Sequence, residues 1–285
     1  MTHTPYVQRS VLTADGTTLN VHEVDGDGQL VVALHGFTGS GSTMLELLEA
    51  IRGERPAIAV DLIGHGASDS PDHRDSYSMA SVVDQVLSLV GTHDHQTVHL
   101  LGYSMGGRIA LSMAARAPWY FASITTVSAT PGIEDPRARQ ERYDADHELA
   151  THIETVGVEA FVDEWLGNPL FANYLASLDD EGLSRTTALR TANSAAGLAN
   201  SLRGTGTGSM APVWDRLPSL RSPLFAIAGA LDERYVEIAK KMTDAAPFGQ
   251  LAVIEGAGHV VHDEKLGGIA ALVTGFLQSC ESATR

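Results

Sequence analysis

The stretch Leu100-Leu101-Gly102-Tyr103-Ser104-Met105-Gly106-Gly107-Arg108 constrains the fold more than any other part of the chain. It continues an apolar run that begins at Val98 and leads into Ile109-Ala110-Leu111-Ser112-Met113-Ala114, so a buried strand runs into a serine and a helix runs out. Glycines two before and two after the serine permit a turn so abrupt that the serine is forced into a strained conformation at its apex. Small neighbours are needed because the two backbones nearly touch there. The first turn of the helix then aims amide hydrogens at any anion formed beside the serine. Gly-x-Ser-x-Gly strings also occur in Gly-rich loops, but the flanking strand and helix make this one a nucleophile elbow.

The rest of the chain supplies the frame that such a turn requires. Val7 to Leu12 and Thr18 to Val24, separated by Ala14-Asp15-Gly16, read as an antiparallel hairpin. After them come short, nearly continuous apolar runs: Leu30 to Leu34, Ala57 to Val60, Val98 to Leu101, Ile124 to Val127, Leu224 to Ala228 and Leu251 to Ile254. Runs of this kind are typical of parallel strands buried on both faces. Segments of helical period lie between them, at Ser42 to Ile51, Met79 to Val90, Met105 to Ala117, Arg234 to Met242 and Lys265 to Leu277. The alternation predicts an α/β fold, a mostly parallel twisted sheet flanked by helices.

One interval breaks the rhythm. Residues 132–215, following the sixth strand, contain no convincing buried strand and read as helices at Arg137 to Thr155, Val158 to Trp165, Asn173 to Leu178, Glu181 to Asn193 and Ala195 to Arg203. The expectation is a core of residues 1–131 and 216–285, with 132–215 inserted as a helical cap where strands end and ligands bind. Gly204-Thr205-Gly206-Thr207-Gly208-Ser209 reads as a flexible hinge by which the cap rejoins the core.

With 285 residues, 44% of them hydrophobic, the chain can bury one large core. Its formal net charge of -16 argues against nucleic acid or an anionic membrane as a partner. An anionic substrate would need a local cluster of arginines. The N-terminal residues lack the basic start and apolar run of a signal peptide, and no segment is long and apolar enough to span a bilayer, so a soluble, cytoplasmic protein is expected. A single cysteine, Cys280, leaves neither a disulfide framework nor a thiolate metal cluster, and reads as structural or incidental. No nucleotide-binding loop appears, and no cofactor is implied.

A serine hydroxyl is a poor nucleophile and base near neutral pH, so Ser104 requires a histidine to take its proton and a carboxylate to hold that histidine. Both are sought after later strands. Asp232 follows Ala228-Gly229-Ala230-Leu231, and His259 follows Glu255-Gly256-Ala257-Gly258. His259 is preferred to His262 because it rides on the Gly-rich turn. Asp232 is preferred to Asp135 and Asp263 because it comes straight after a strand. The oxyanion donors are expected from the amide of Met105 and from that of Phe37, in the loop His35-Gly36-Phe37-Thr38-Gly39-Ser40. His35 and His65 read as structural or pocket-lining residues.

With Ser104, Asp232 and His259 in that order, preceded by His35-Gly36 and Gly64-His65-Gly66, the chain resembles the α/β-hydrolase superfamily over nearly its whole length. A narrower resemblance, to the 2-succinyl-6-hydroxy-2,4-cyclohexadiene-1-carboxylate synthases of menaquinone biosynthesis, rests on further strings. These are Leu34 to Ser40, Asp61 to Asp69, Gly102 to Arg108, and Asp232-Glu233-Arg234-Tyr235 through Met242. In the cap they are Ser128 to Ile133, Arg139 to Asp146, Trp165 with Pro169 to Ala172, and Gly197 to Arg203. Members of that family are lyases that eliminate pyruvate from an enolpyruvyl cyclohexene dicarboxylate bearing a succinyl ketone, without consuming water. The resemblance implies that Arg108, Arg142 and Arg190 bind substrate carboxylates, that Tyr103 and Trp165 line the pocket, and that Ser104 acts as a base relayed through His259. It leaves Arg139 and Arg203 undecided. The alternatives are a hydrolase of esters or carbon-carbon bonds on the same three residues, or a non-catalytic binder, which would need a defective triad.

Overall fold

The computed structural model describes residues 6–93 and 97–284. Eight strands form one sheet in the order β1-β2-β4-β3-β5-β6-β7-β8, with ranges Val7–Leu12, Thr18–Val24, Leu30–Leu34, Ala57–Val60, Val98–Tyr103, Phe121–Val127, Leu224–Gly229 and Gly249–Ile254 for β1 to β8. β2 pairs antiparallel with β1 and β4, and every pairing from β4 through β8 is parallel. β3, β4, β5 and β7 are buried at every position, as continuous apolar runs require.

Leu251 to Ile254 departs from the expectation of burial on both faces. β8 is the sheet's edge, and Leu251 and Val253 are each 38% exposed. A composition suited to a central strand here serves a strand with a neighbour on one side only.

Both faces of the sheet are covered. α2 (Met79–Gly91), α3 (Met105–Arg116) and α9 (Glu233–Ala245) pack Val86, Leu89, Ile109, Met113 and Met242 against one face. α1 (Leu45–Arg52) and α11 (Leu266–Thr284) pack Leu48, Ile51, Val273 and Phe276 against the other.

Between β6 and β7 the chain builds α4 (Pro136–Val156), α5 (Val158–Leu166), α6 (Ala172–Ala176), α7 (Asp180–Thr191) and α8 (Ala195–Thr205). Three of these start on a side-chain cap. Asp135 accepts from Ala138 N–H at 2.7 Å, Asp179 from Gly182 N–H at 2.8 Å, and Ser194 from Gly197 N–H at 3.2 Å. Ala150, Ile153, Phe161, Val162, Leu198 and Leu202 give the insertion a small core of its own, against which Phe37 packs from the sheet side.

The stretch expected to be a hinge is instead closely packed. α8 runs through Gly204 to Thr205, and a Cβ on Gly204 would stand 2.1 Å from the carbonyl oxygen of Tyr77. A Cβ on Gly208 would likewise stand 2.2 Å from the backbone nitrogen of Tyr143. Small residues there let segments touch.

Candidate active site

Ser104 sits between β5 and α3 with φ 48° and ψ -105°, a left-handed conformation that a non-glycine residue adopts only under constraint. The constraint is the close passage of strand and helix. A Cβ on Gly106 would come within 2.1 Å of the carbonyl oxygen of Leu34, and the Gly106 N–H donates to the carbonyl of His35 at 3.0 Å. Met105 opens α3, so its N–H has no acceptor four residues back within the helix.

His259 reaches Ser104 from the loop after β8. Its Nε2 is 3.1 Å from Ser104 Oγ and its Nδ1 is 2.7 Å from Asp232 Oδ2. Asp232 stands where β7 gives way to α9, its backbone N–H bonded to the carbonyl of Gly229 at 3.0 Å. Ser128, also at positive φ, donates its hydroxyl to the carbonyl of His259 at 2.8 Å. The structure thus brings the three residues into one hydrogen-bonded row. The competing residues are elsewhere: Asp135 caps α4, and His262 lies buried beneath Tyr103 with ring centroids 4.3 Å apart. Burial also holds the His262 imidazole below its ordinary pKa.

Ser104, His259 and Asp232 open on a cavity of about 480 Å³, lined also by Phe37, Arg108, Arg142, Trp165 and Tyr235. Arg108, one turn into α3, is buried and donates from Nη1 to the carbonyl of Thr205 at 2.5 Å. Burial brings its pKa down to about 10, and the like charge of Arg142 acts in the same direction. Arg142 is bound by Asp146, Nε to Oδ1 at 2.7 Å. Trp165 stacks with Phe161 and meets the edge of Phe37 at 5.5 Å.

Arg190 and Tyr103 do not line that cavity. They face a second one of about 200 Å³ between α7 and the loop after β3, and Phe37 lines both. Arg190 folds back along its own helix, donating from Nη1 to the carbonyl of Thr186 at 3.2 Å and also to the Thr186 hydroxyl. Arg203 is engaged with Glu154 at 2.6 Å, and Arg139 donates to the carbonyl of Ile133 at 3.2 Å.

His35 and His65 have structural partners. His35 Nε2 accepts from Leu62 N–H at 3.1 Å, and buried His65, its pKa pushed down to about 3 by burial, lies edge-on to the rings of His35 and Phe37. Sequence reasoning gave no role to Arg234 and Tyr235, which also line the Ser104 cavity; the Tyr235 ring lies 4.8 Å from that of His259. Their place directly after Asp232, in the first turn of α9, was the available signal.

The sheet order, with a serine at the strained turn after β5, defines the α/β-hydrolase class of fold. The family profile described as alpha/beta hydrolase fold matches residues 29–266. A putative 2-succinyl-6-hydroxy-2,4-cyclohexadiene-1-carboxylate synthase of Bacillus subtilis (strain 168) is 34% identical over 271 residues, covering 95% of this chain and 98% of that protein. The synthase of the same name from Escherichia coli O1:K1 / APEC is 28% identical over 250 residues, covering 87% of this chain and 93% of its own. Among solved structures, MenH from S. aureus superposes with a TM-score of 0.85 at 29% identity, over 92% of this chain and 98% of that one. The chain belongs to the α/β-hydrolase family, among the 2-succinyl-6-hydroxy-2,4-cyclohexadiene-1-carboxylate synthases, and is an enzyme of that fold. Among the described residues no helix is long and apolar enough to cross a membrane.

Proposed function

We propose that this enzyme is a cytoplasmic pyruvate-eliminating lyase of menaquinone biosynthesis. It converts 2-succinyl-5-enolpyruvyl-6-hydroxy-3-cyclohexene-1-carboxylate to 2-succinyl-6-hydroxy-2,4-cyclohexadiene-1-carboxylate. The observation that carries the reading is the presence of three arginines, Arg108, Arg142 and Arg234, on the cavity that holds Ser104 and His259. In a chain of net charge -16, arginines gathered around a serine, Arg108 buried and Arg142 partly exposed, suit a small polycarboxylate, which arginine forks bind bidentately. A carboxylate placed there relieves both the desolvation of Arg108 and its repulsion from Arg142. Arg190 and Tyr103, in the adjoining cavity, are assigned to the more distant part of the same substrate, and Trp165 to the wall against its ring.

In this reading Ser104 is a base. His259 Nε2, 3.1 Å from Ser104 Oγ, takes the hydroxyl proton, and Asp232 holds the imidazolium through Nδ1–H at 2.7 Å. The serine alkoxide removes the acidic ring proton beside the succinyl ketone. Charge developing on the ketone oxygen is met by the amides of Phe37 and Met105. The carbon-oxygen bond to the enolpyruvyl group breaks, the ring gains its second double bond, and pyruvate leaves as the enolate, which takes at carbon the proton held by His259 while the ring proton remains as the restored Ser104 hydroxyl. No water enters and no acyl-enzyme forms. An oxyanion site serves proton removal beside a carbonyl as well as it serves acyl transfer.

The test is to give the purified protein the enolpyruvyl precursor, following pyruvate release and diene absorbance, with a simple aryl ester assayed in parallel. Diene and pyruvate in equal amounts are expected. Fast ester cleavage without diene would favour a serine hydrolase.

A further inference from the structure

The loop that carries His259 is held on both sides of that residue by one carboxylate. Glu264, the last residue of the short helix α10 (Val261–Glu264), accepts from the N–H of Gly258 through Oε2 at 2.6 Å and from the N–H of Val260 through Oε1 at 3.1 Å. Its two oxygens therefore straddle His259. The same Oε2 accepts from the side-chain amide of Asn173, which belongs to α6 of the helical insertion, and Asn173 also reaches the carbonyl of Gly256 at 3.5 Å. A continuous path of hydrogen bonds leads from the insertion, through Glu264, to the amides before and after His259. None of these contacts touches the cavity that holds Ser104, whose lining includes neither Glu264 nor Asn173.

We propose that Glu264 is a positioning residue for His259 and that Asn173 makes this positioning depend on the seating of the insertion. The inference rests on the reading of His259 as the base that takes the Ser104 proton. A carboxylate is acceptor-only, so it satisfies the two backbone donors and the Asn173 amide together. Fixing the peptide groups on both sides of His259 fixes the direction of its side chain, and a relay over 3.1 Å and 2.7 Å tolerates little misdirection. When α6 lifts, Glu264 loses one donor and the loop one tether. The base is then fully aligned only beneath a seated cap.

The test uses the full-length protein with Glu264→Gln, Asn173→Ala and the double substitution. A glutamine turns an N–H toward one of the two amides and must break that bond. The first readout is the titration of His259 by proton–nitrogen NMR of histidine-labelled protein, assigned by its loss in His259→Gln. The groups facing His259 are Asp232, Ser104, Tyr103, Tyr235, His262 and Glu264 itself; Asn173→Ala keeps all of them, whereas Glu264→Gln removes one negative charge. Loosened from Asp232, the imidazolium is less stabilised, so the midpoint should fall in Asn173→Ala, where no charge has changed; in Glu264→Gln the lost carboxylate lowers it as well. The second readout is pyruvate release, where kcat should drop about 10-fold in Glu264→Gln and about 3-fold in Asn173→Ala, with KM within about twofold in both. Adding Asn173→Ala to Glu264→Gln should change kcat by less than about twofold.

An unmoved midpoint in Asn173→Ala, a loss expressed in KM alone, or the same Asn173→Ala factor in both backgrounds would overturn the proposal. If Glu264→Gln does not fold, the midpoint and the kcat-to-KM split of Asn173→Ala decide it. A moved midpoint in a protein whose wild type releases no pyruvate would refute the elimination reading and leave Glu264 as the positioning residue of His259.

Discussion

Arg142 and Asp146 stand one turn apart on α4 and are joined Nε to Oδ1 at 2.7 Å, with Asp146 almost wholly buried and its Oδ2 accepting the N–H of Gly208 at 3.1 Å. The carboxylate fixes the guanidinium at the wall of the Ser104 cavity and leaves its terminal nitrogens for a ligand. Replacing Arg142 by alanine should raise KM for the enolpyruvyl precursor roughly 10- to 100-fold, the range for a lost hydrogen bond to a charged group, with kcat within a few-fold. Steady-state kinetics check it. An unchanged KM would remove Arg142 from the binding site.

Gly106→Ala should prevent the elbow from closing. Its Cβ would lie 2.1 Å from the carbonyl oxygen of Leu34, on backbone that cannot rotate away. A loss of about 3 kcal/mol or more of stability is expected, measured by urea unfolding.

Gly204→Ala separates close packing from hinge motion. The added methyl would meet the Tyr77 carbonyl at 2.1 Å, so a fall in Tm of about 5 °C or more is expected. A hinge would accept alanine with an unchanged Tm.

Stability should decline on mild acidification. His99 lies wholly buried on β5, and burial outweighs the attraction of Glu281, 3.5 Å away, to hold its pKa down to about 4. His65 is held down to about 3. In the unfolded chain both titrate near 6.5, so the unfolded state binds more protons below that pH. Their contribution is complete above about pH 6.5 and is lost as pH falls toward 4. Each should remove roughly 2 kcal/mol between pH 6.5 and 5. Urea unfolding of His99→Gln should show about that much less pH dependence, and an unaltered dependence would contradict the assignment.

The parts legible from sequence were those whose constraint is local. Apolar runs mark β3 to β7 because a strand buried on both faces admits little else. The elbow is readable because glycine at 102 answers a steric demand from Gly106 and Gly107, only a few residues away, whereas the demand on Gly106 comes from the distant carbonyl of Leu34. Asp232 and His259 follow from chain order once Ser104 is fixed, since strand ends put such residues at one edge of the sheet.

What was misread depended on packing between distant segments. The glycines at 204–208 have the composition of a linker, and only the approach of Tyr77 and Tyr143 gives them a different purpose. Glu264 and Asn173 are ordinary polar residues in the sequence, 91 positions apart, and acquire meaning only where α6 meets the loop after β8.

The central claim is that Ser104, relayed through His259, removes the ring proton. The most direct test is the rate of pyruvate release from the enolpyruvyl precursor by the wild-type enzyme and by Ser104→Ala, with folding checked by circular dichroism. The account predicts a fall on the order of 10³-fold or more in a folded protein. A wild-type-like rate from Ser104→Ala would contradict it.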